Sequence, residues 1–294
     1  MVKLSGLGEF GLIDRIRQRI PSDKSVVKGI GDDAAVLPWT KDKYLLLTTD
    51  MLVENAHFTR RMSAEKIGRK ALGCNISDIA AMGGLPKHAV ISLGVPKNLN
   101  LHFIDRLYSG IETIARQFGV SIVGGDTVDS AKIVINIALT GEVNKNQLVT
   151  RSEAKIGDQI FVTGPLGDSL KSGWHLNFIP RVKESQYLVK HFHPTAMIDI
   201  SDGLAADLGH ILEQSNVGAI LFEDKIPRRK GATLNQTLHS GEDFELIFTL
   251  NSREAKTIAR FYRIGEIVNV HSGLQLISLN GQKKNIEPRG YAHF

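Results

Sequence analysis

Apolar and polar positions follow helix-like and strand-like spacings in turn along the first half of the chain. Apolar residues spaced three and four apart predict an amphipathic helix over residues 9–19, which Pro21 ends. Ser63 is a suitable N-cap for a second helix that runs to about Met82. The other elements predicted in this half are a strand over 44–49 that ends at Asp50, a strand over 89–95, a helix over 101–118, and strands over 120–123 and 133–141.

A polar and charged stretch over residues 143–158 separates this pattern from a second one, which begins with an apolar run at 159–164. The further elements predicted there are a strand over 196–200, a helix over 204–215, and strands over 219–222 and 244–250. We therefore predict an α/β fold with two domains, residues 1–145 and 146–294. Open α/β sheets bind ligands at the ends of their strands.

The composition narrows the class of protein. The chain has 294 residues, of which 42% are hydrophobic and 23% charged, as expected for a protein with a full core. The single cysteine, Cys74, excludes an internal disulfide framework and a CxxC metal site. No apolar run is long enough to span a membrane and the N-terminus lacks a secretory leader pattern, so we expect a cytoplasmic protein.

The basic residues bear on the choice of partner. The net charge is +5, but the 36 basic residues are dispersed, and the densest group spans only 228–230. This distribution does not favour nucleic acid, whereas a mildly basic protein suits small anionic substrates.

Acidic residues beside Gly, Ser or Thr are the main chemical signal. They occur in five short phrases, at Asp32 and Asp33, Asp50, Asp78, Asp126, and Asp199 and Asp202. Carboxylates that converge repel one another and raise each other's pKa, whereas Mg²⁺ takes oxygen ligands together with substrate phosphates. A turn is the alternative for each phrase alone. Together they predict a metal-dependent enzyme that handles phosphates.

The common phosphate and hydrolase motifs are absent from the sequence. It contains no GxxxxGK[ST] loop, kinase VAIK or HRD element, GxSxG elbow or HExxH pair. The phrase Gly29-x-Gly31-x-x-Ala34 matches a dinucleotide fingerprint only loosely, because two carboxylates inside the loop would face the pyrophosphate. Cys74 has no evident base and is interpreted as a packing residue.

Further motifs accompany the acidic phrases in a fixed order from one end of the chain to the other. They are GEF at 8–10, GIGDDA at 29–34, TDMLVENAHF at 49–58, NISDIAAMG at 75–83, GGDT at 124–127, TRS at 150–152, VTG at 162–164, IDISDGL at 198–204, GEDFE at 241–245 and GYAHF at 290–294. In this set and order the chain resembles the thiamine-monophosphate kinases, a family of the PurM-like (aminoimidazole ribonucleotide synthetase) superfamily.

The resemblance implies a two-domain PurM-like architecture, a homodimer formed by the N-terminal domains, and ATP-dependent phosphorylation of thiamine monophosphate to thiamine diphosphate with several Mg²⁺ ions. It places metal ligands at Asp33, Thr48, Thr49, Asp50, Asp78, Asp126, Asp199 and Asp202. It places ATP contacts at Tyr108, Gly125, Asp126, Arg151 and Ser201, and thiamine-phosphate contacts at His57, Glu242 and Tyr291. The acceptor is an anionic phosphate oxygen, so no general base is expected, and positioning with metal assistance carries the reaction.

The chain departs from the family pattern in its second half. It lacks a stretch about one helix long that family members usually carry between the equivalents of Pro194 and Ala196, and the segment 224–238 is compressed. Ser240 stands where the family usually has glycine. Two alternatives stay open: another PurM-like ATP-dependent activity of the aminoimidazole ribonucleotide synthetase type, and a non-catalytic protein that binds nucleotide or thiamine phosphate.

Overall fold

The computed structural model of the chain describes residues 6–21 and 23–293. The final phenylalanine of the GYAHF motif, Phe294, lies outside the described residues. The elements of the first half are α1 (Gly8–Arg17), β1 (Ala35–Pro38), β2 (Lys43–Val53), α2 (Ala64–Ala81), β3 (Leu85–Val95), α3 (Leu101–Phe118), β4 (Ser121–Asp129) and β5 (Val134–Asn144). Those of the second half are β6 (Gln159–Val162), α4 (Ser169–Ser172), α5 (Val182–His191), β7 (Ala196–Asp199), α6 (Leu204–Ser215), β8 (Gly218–Phe222), α7 (Leu234–His239), β9 (Leu246–Leu250), α8 (Ser252–Ala255), β10 (Tyr262–Val268), β11 (Leu274–Ile277) and β12 (Lys283–Asn285).

The first sheet has five strands in the order β1-β2-β5-β3-β4. Strands β3 and β4 pair in parallel, and the other neighbours are antiparallel. Helices α2 and α3 cover one face, and their close packing depends on Gly110, where an added Cβ would lie 1.9 Å from the carbonyl oxygen of Glu65. The other face exposes apolar side chains, including Leu47, Met51 and Val90. Within the described residues, this sheet is therefore covered on one side only.

Two strands of this sheet run further than the sequence pattern indicates. The prediction that a strand ends at Asp50 is wrong, because β2 continues to Val53 and pairs with β5 along its whole length. Likewise, the GGDT phrase does not follow a strand but lies inside β4. The continuous pairing extends both strands, and local composition does not show it.

The second sheet has seven strands in the order β12-β11-β8-β10-β6-β9-β7. Two of its inner strands, β6 and β9, are buried at every position, since apolar residues cover both faces. Alternating residues of β9 enter two different cores: Ile247 packs in one, and Phe248 packs in the other. The mixed α/β architecture with two sheets confirms the predicted fold class.

The two halves contact each other along α2. Ser185 Oγ, on α5, donates a hydrogen bond to the carbonyl oxygen of Ala80 at 2.6 Å, and Gln186 Nε2 donates to that of Gly83 at 2.8 Å. Near the N-terminus, Phe10 on α1 packs against the ring of His210 on α6, with 4.7 Å between the ring centroids. Among the described residues, no helix combines the length and apolar character needed to cross a membrane.

Candidate functional site

Three carboxylates converge where the two halves of the chain meet. Asp33, Asp78 and Asp199 each offer an oxygen atom, and these atoms all lie within 4.8 Å of one another. Asp33 precedes β1, Asp78 lies on α2, and Asp199 is the last residue of β7. The acidic cluster, by which we mean these three residues, therefore depends on both halves for its assembly.

Neighbouring polar groups fix the orientation of these carboxylates. Thr48 Oγ1 donates to Asp78 Oδ2 at 2.5 Å, and Ser77 Oγ donates to Asp199 Oδ2, also at 2.5 Å. Arg151 faces Asp33 with two nitrogen atoms, with Nη2 2.9 Å from Oδ1 and Nε 3.4 Å from Oδ2. The cluster therefore contains three carboxyl groups, of which only that of Asp33 is paired with a basic side chain.

The electrostatics of the cluster indicate that it suits a cation. Burial and the nearby Asp33 carboxylate raise the pKa of Asp199 to about 8. Burial also raises the pKa of Asp78 well above its ordinary value, with Asp50 and Asp199 adding to the effect. The Oδ2 atom of Asp50 is buried without a hydrogen-bond partner in the described part of the chain. Oxygen ligands on adjacent acids, one of them unpartnered, match the donor set that Mg²⁺ prefers.

The structure separates the predicted threonine ligands. Along β2, Thr48 is buried and Thr49 is exposed, because successive strand residues point to opposite faces. Thr48 lies with Asp50 on the face that α2 covers. Thr49 lies on the outer face, where its Oγ1 atom is 3.3 Å from Asn136 Oδ1. Thr49 and the acidic cluster of the same chain are thus on different sides of the sheet.

Gly125 and Asp126 lie on β4, at the edge of the sheet. The register aligns Asp126 with Ser92, Asn136 and Met51 across the four strands, so it shares the outer face with Met51. Three strand spacings separate β4 from β2, about 14 Å. All nine residues of β4 are exposed. Asp126 therefore does not meet the acidic cluster within one chain.

The loop after β7 carries two further predicted residues, Ser201 and Asp202. Burial, followed by the charge of Glu9, raises the pKa of Asp202 to about 6. Asp207 Oδ2 accepts the backbone N–H groups of Asp202 at 3.1 Å and of Gly203 at 2.9 Å. This buried carboxylate fixes the loop at the start of α6, adjacent to Asp199.

The three predicted thiamine-phosphate contacts lie in one region. The His57 ring is 5.0 Å from the His293 ring, which in turn is 5.0 Å from that of Tyr291. His57 Nδ1 accepts the N–H of Val53 at 3.0 Å, which leaves the proton on Nε2. Glu242 lies near this group, because Lys70 Nζ is 2.7 Å from its Oε1 and 3.3 Å from the carbonyl oxygen of His57.

Tyr108 is less directly placed. It lies on α3, half-buried against the core of the first half, and burial raises its pKa. Its hydroxyl makes no hydrogen bond to a described residue. The structure thus gives Tyr108 no contact with the acidic cluster.

The sequence interpretation missed three residues that support the site: Lys70, Asp207 and His293. Lys70 could have been found, because positions 70, 74 and 78 are spaced four apart, so that Lys70 and Asp78 share one face of α2. Asp207 is five residues from Asp202, inside an amphipathic helix, and no local pattern distinguishes it. His293 meets His57 because the C-terminal segment returns to the first half of the chain, and this return is not visible in the sequence.

Comparisons with known proteins identify the relatives of this chain. The family model described as "AIR synthase related protein, N-terminal domain" matches residues 31–143. Thiamine-monophosphate kinase of Aquifex aeolicus (strain VF5) is 36% identical over 321 residues, with all of both chains covered. That of Bacillus subtilis (strain 168) is 33% identical, with 98% of this chain and 100% of the relative covered.

Solved structures show the same relationship. The structure of AaThiL complexed with AMPPCP and TMP is 34% identical and has a TM-score of 0.89, over 100% of this chain and 99% of that one. Thiamine-monophosphate kinase from Stenotrophomonas maltophilia K279a is 31% identical with a TM-score of 0.74, over 94% and 98%. The hydrogenase maturation protein HypE in complex with ATP, 22% identical with a TM-score of 0.70, shares the fold. This chain belongs to the thiamine-monophosphate kinase family.

Proposed function

We propose that this chain transfers the γ-phosphoryl group of ATP directly to the phosphate of thiamine monophosphate, giving thiamine diphosphate and ADP. The observation that carries the proposal is the acidic cluster of Asp33, Asp78 and Asp199, built across the junction of the two halves. Full-length relatives at 33–36% identity are thiamine-monophosphate kinases, and a structural neighbour holds AMPPCP and TMP. The site lies beside the predicted contacts for thiamine phosphate.

Magnesium would be held by the acids that converge at the junction of the two halves. These are Asp33, Asp50, Asp78 and Asp199, with Thr48 orienting Asp78 and Asp202 on the adjacent loop. Bound there, Mg²⁺ would neutralise phosphate charge and so assist in-line transfer. The carboxylates supply ligands, and the buried setting limits competition from water. No side chain needs to remove a proton, because the acceptor oxygen is already anionic near neutral pH.

Arg151 and the loop after β7 would bind the nucleotide. The Arg151 side chain is 19% exposed and lies against Asp33, so it can exchange that partner for a phosphate oxygen with little movement. Ser201 lies two residues after Asp199, on the loop that Asp207 fixes. These residues come from the second half of the chain, whereas the acids come mostly from the first.

A homodimer would complete the site. β4 is an exposed nine-residue edge strand that carries Ile122, Val123 and Val128, and such an edge pairs readily with another chain. No described residue covers the apolar outer face of the same sheet. Because Asp126 lies far from the acidic cluster of its own chain, it would serve the active site of a second copy. Gly125 would approach the nucleotide from the same strand.

The direct test of the activity is product analysis. Purified protein is incubated with ATP, thiamine monophosphate and Mg²⁺, and the thiamine compounds are separated by chromatography. The proposal expects thiamine diphosphate only when Mg²⁺ is present, and none after chelation. Turnover of formylglycinamidine ribonucleotide instead would assign the synthetase activity. Ligand-induced stabilisation without any product would indicate a binding protein.

A further inference from the structure

Lys70 is a charged side chain at a position where its helix is otherwise packed into the interior. It is only 1% exposed and lies on α2 between Ile67 and Cys74, both buried. A buried ammonium group is costly unless it is paired and hydrogen-bonded. Its partners therefore account for its presence.

Those partners are the two sides of the proposed thiamine-phosphate site. Lys70 Nζ donates to Glu242 Oε1 at 2.7 Å and to the carbonyl oxygen of His57 at 3.3 Å. His57 belongs to the loop after β2 in the first half, whereas Glu242 belongs to the segment before β9 in the second. The Lys70 ammonium group thus joins both halves of the chain where thiamine phosphate is proposed to bind.

The segment around Glu242 is held in an unusual backbone conformation. Glu242 has a φ of +70°, in the left-handed region that non-glycine residues rarely adopt. Its N–H donates to the carbonyl oxygen of Ser201 at 2.7 Å, and a Cβ on Gly241 would lie 2.1 Å from that oxygen. The backbone of Glu242 is therefore fixed against the loop after β7, and Lys70 fixes the Glu242 carboxylate.

Stability alone does not explain this lysine. Replacing a buried ion pair with apolar groups of similar volume is often neutral or stabilising. The Glu242 side chain is 22% exposed, but its Oε2 atom is buried and lies 2.5 Å from Lys70 Nζ, so Lys70 determines where this carboxylate sits. A strained backbone held in place by its surroundings is typical of functional sites.

On these grounds we infer that Lys70 is a positioning residue for the acceptor substrate: it holds Glu242 and the His57 loop at the spacing that thiamine monophosphate requires. The inference rests on the proposed function. Lys70 would act through these two neighbours. Its loss should weaken the binding of thiamine monophosphate and leave the binding of ATP unchanged.

The test measures the KM of each substrate separately in Lys70→Met, Lys70→Arg, Glu242→Gln and the double variant Lys70→Met/Glu242→Gln. The matched control is Lys66→Met, an exposed lysine one turn earlier on α2. Lys70→Met should raise the KM for thiamine monophosphate about tenfold, the effect of one charged hydrogen bond, and change that for ATP by less than about twofold. Lys70→Arg should recover part of the loss, because it keeps the charge and the donors.

The double variant shows whether Lys70 acts through Glu242. Its KM for thiamine monophosphate should lie within about twofold of the Glu242→Gln value, because the two residues act as a unit. Additive increases in the KM for thiamine monophosphate, or equal increases in the KM of both substrates, would overturn the inference.

If Lys70→Met does not fold, the test uses Lys70→Arg, whose KM for thiamine monophosphate is compared with that of wild type. An unchanged KM in Lys70→Arg would then overturn the inference. Wild-type protein without kinase activity would refute the proposed function, whereas an active wild type with an unaffected Lys70→Met refutes only this inference.

Discussion

Ser77 and Asp199 join the two halves of the chain at the centre of the acidic cluster, with 2.5 Å between Ser77 Oγ and Asp199 Oδ2. Ser77 precedes Asp78 on α2, and Asp199 ends β7 of the second sheet. This contact sets the spacing between two of the three convergent carboxylates. The cluster is therefore a product of the packing between the halves, and each half alone holds only part of it.

Replacing Asp78 with asparagine should separate catalysis from folding. We expect kcat to fall about a thousandfold, because one proposed ligand for Mg²⁺ is removed from the site of charge development. The metal-free protein should be at least as stable as wild type, because the buried Asp78 carboxyl group has a pKa raised well above its ordinary value by burial and by neighbouring acids. Melting curves with and without Mg²⁺ measure this, and Mg²⁺ should no longer stabilise the variant.

The exposed Asp105 on α3 provides the matched control for that variant. Asp105→Asn should retain the wild-type kcat and the wild-type response of the melting temperature to Mg²⁺. Wild-type turnover by Asp78→Asn would remove Asp78 from the site.

The stability of the metal-free protein should fall as the pH rises. Asp199 has an ordinary pKa of 3.8, and burial raises it to about 8 in the folded state. Between these values the folded state keeps a proton that the unfolded state has lost, so deprotonation favours unfolding. Urea unfolding in a chelator at pH about 5.5 and about 8.5 measures the slope, which Asp199→Asn should reduce. A wild-type protein that gains stability over this window, or a variant with an unchanged slope, would contradict the assignment.

Two adjacent glycines on β4 offer a matched pair of variants. A Cβ on Gly125 would lie 1.9 Å from the carbonyl oxygen of Ile91, whereas one on Gly124 would meet only Val90 at 3.8 Å. Gly125→Ala should therefore displace β4, cost about 2 kcal/mol of stability and weaken both dimerisation and ATP binding. Gly124→Ala should leave all three unchanged. Sedimentation and ATP titration measure these effects, and a normal dimer with normal affinity in Gly125→Ala would disprove this role of the β4 edge.

Mixed dimers test whether Asp126 serves the site of a second copy. Asp126→Asn and Asp78→Asn should each be inactive as homodimers. Random mixing of the two, after dissociation and reassembly, should restore about a quarter of wild-type activity, because half of the dimers are mixed and each then holds one intact site. If Asp126 acts within its own chain, both sites of the mixed dimer are damaged and no activity returns.

The parts of the structure with strong local periodicity were predictable from sequence. The helices over 101–118 and 204–215 have the predicted bounds, because their apolar spacing and ends are local signals. Strands β2 and β4 were predicted too short, since their length depends on pairing with distant strands. The residue types around Asp33, Asp78 and Asp199 indicated metal chemistry, and the fold brings these three together.

Other parts of the site depend on long-range contacts. The separation of Asp126 from the acidic cluster follows from strand order, which the phrase GGDT does not reveal. The role of Lys70 follows from a partner 172 residues away. The meeting of His57 with His293 depends on a C-terminal segment that returns to the first half. In each case the chemistry of the residue was visible, but its position was not.

The fate of the transferred phosphate distinguishes a thiamine-phosphate kinase from an ATPase. ATP carrying a radiolabel in the γ position is mixed with thiamine monophosphate and Mg²⁺, and the products are separated over a single turnover for wild type and Asp78→Asn. We expect the label in thiamine diphosphate with wild type, only with Mg²⁺, and at a greatly reduced rate with the variant. Label found only in inorganic phosphate, or equal transfer by both proteins, would contradict it.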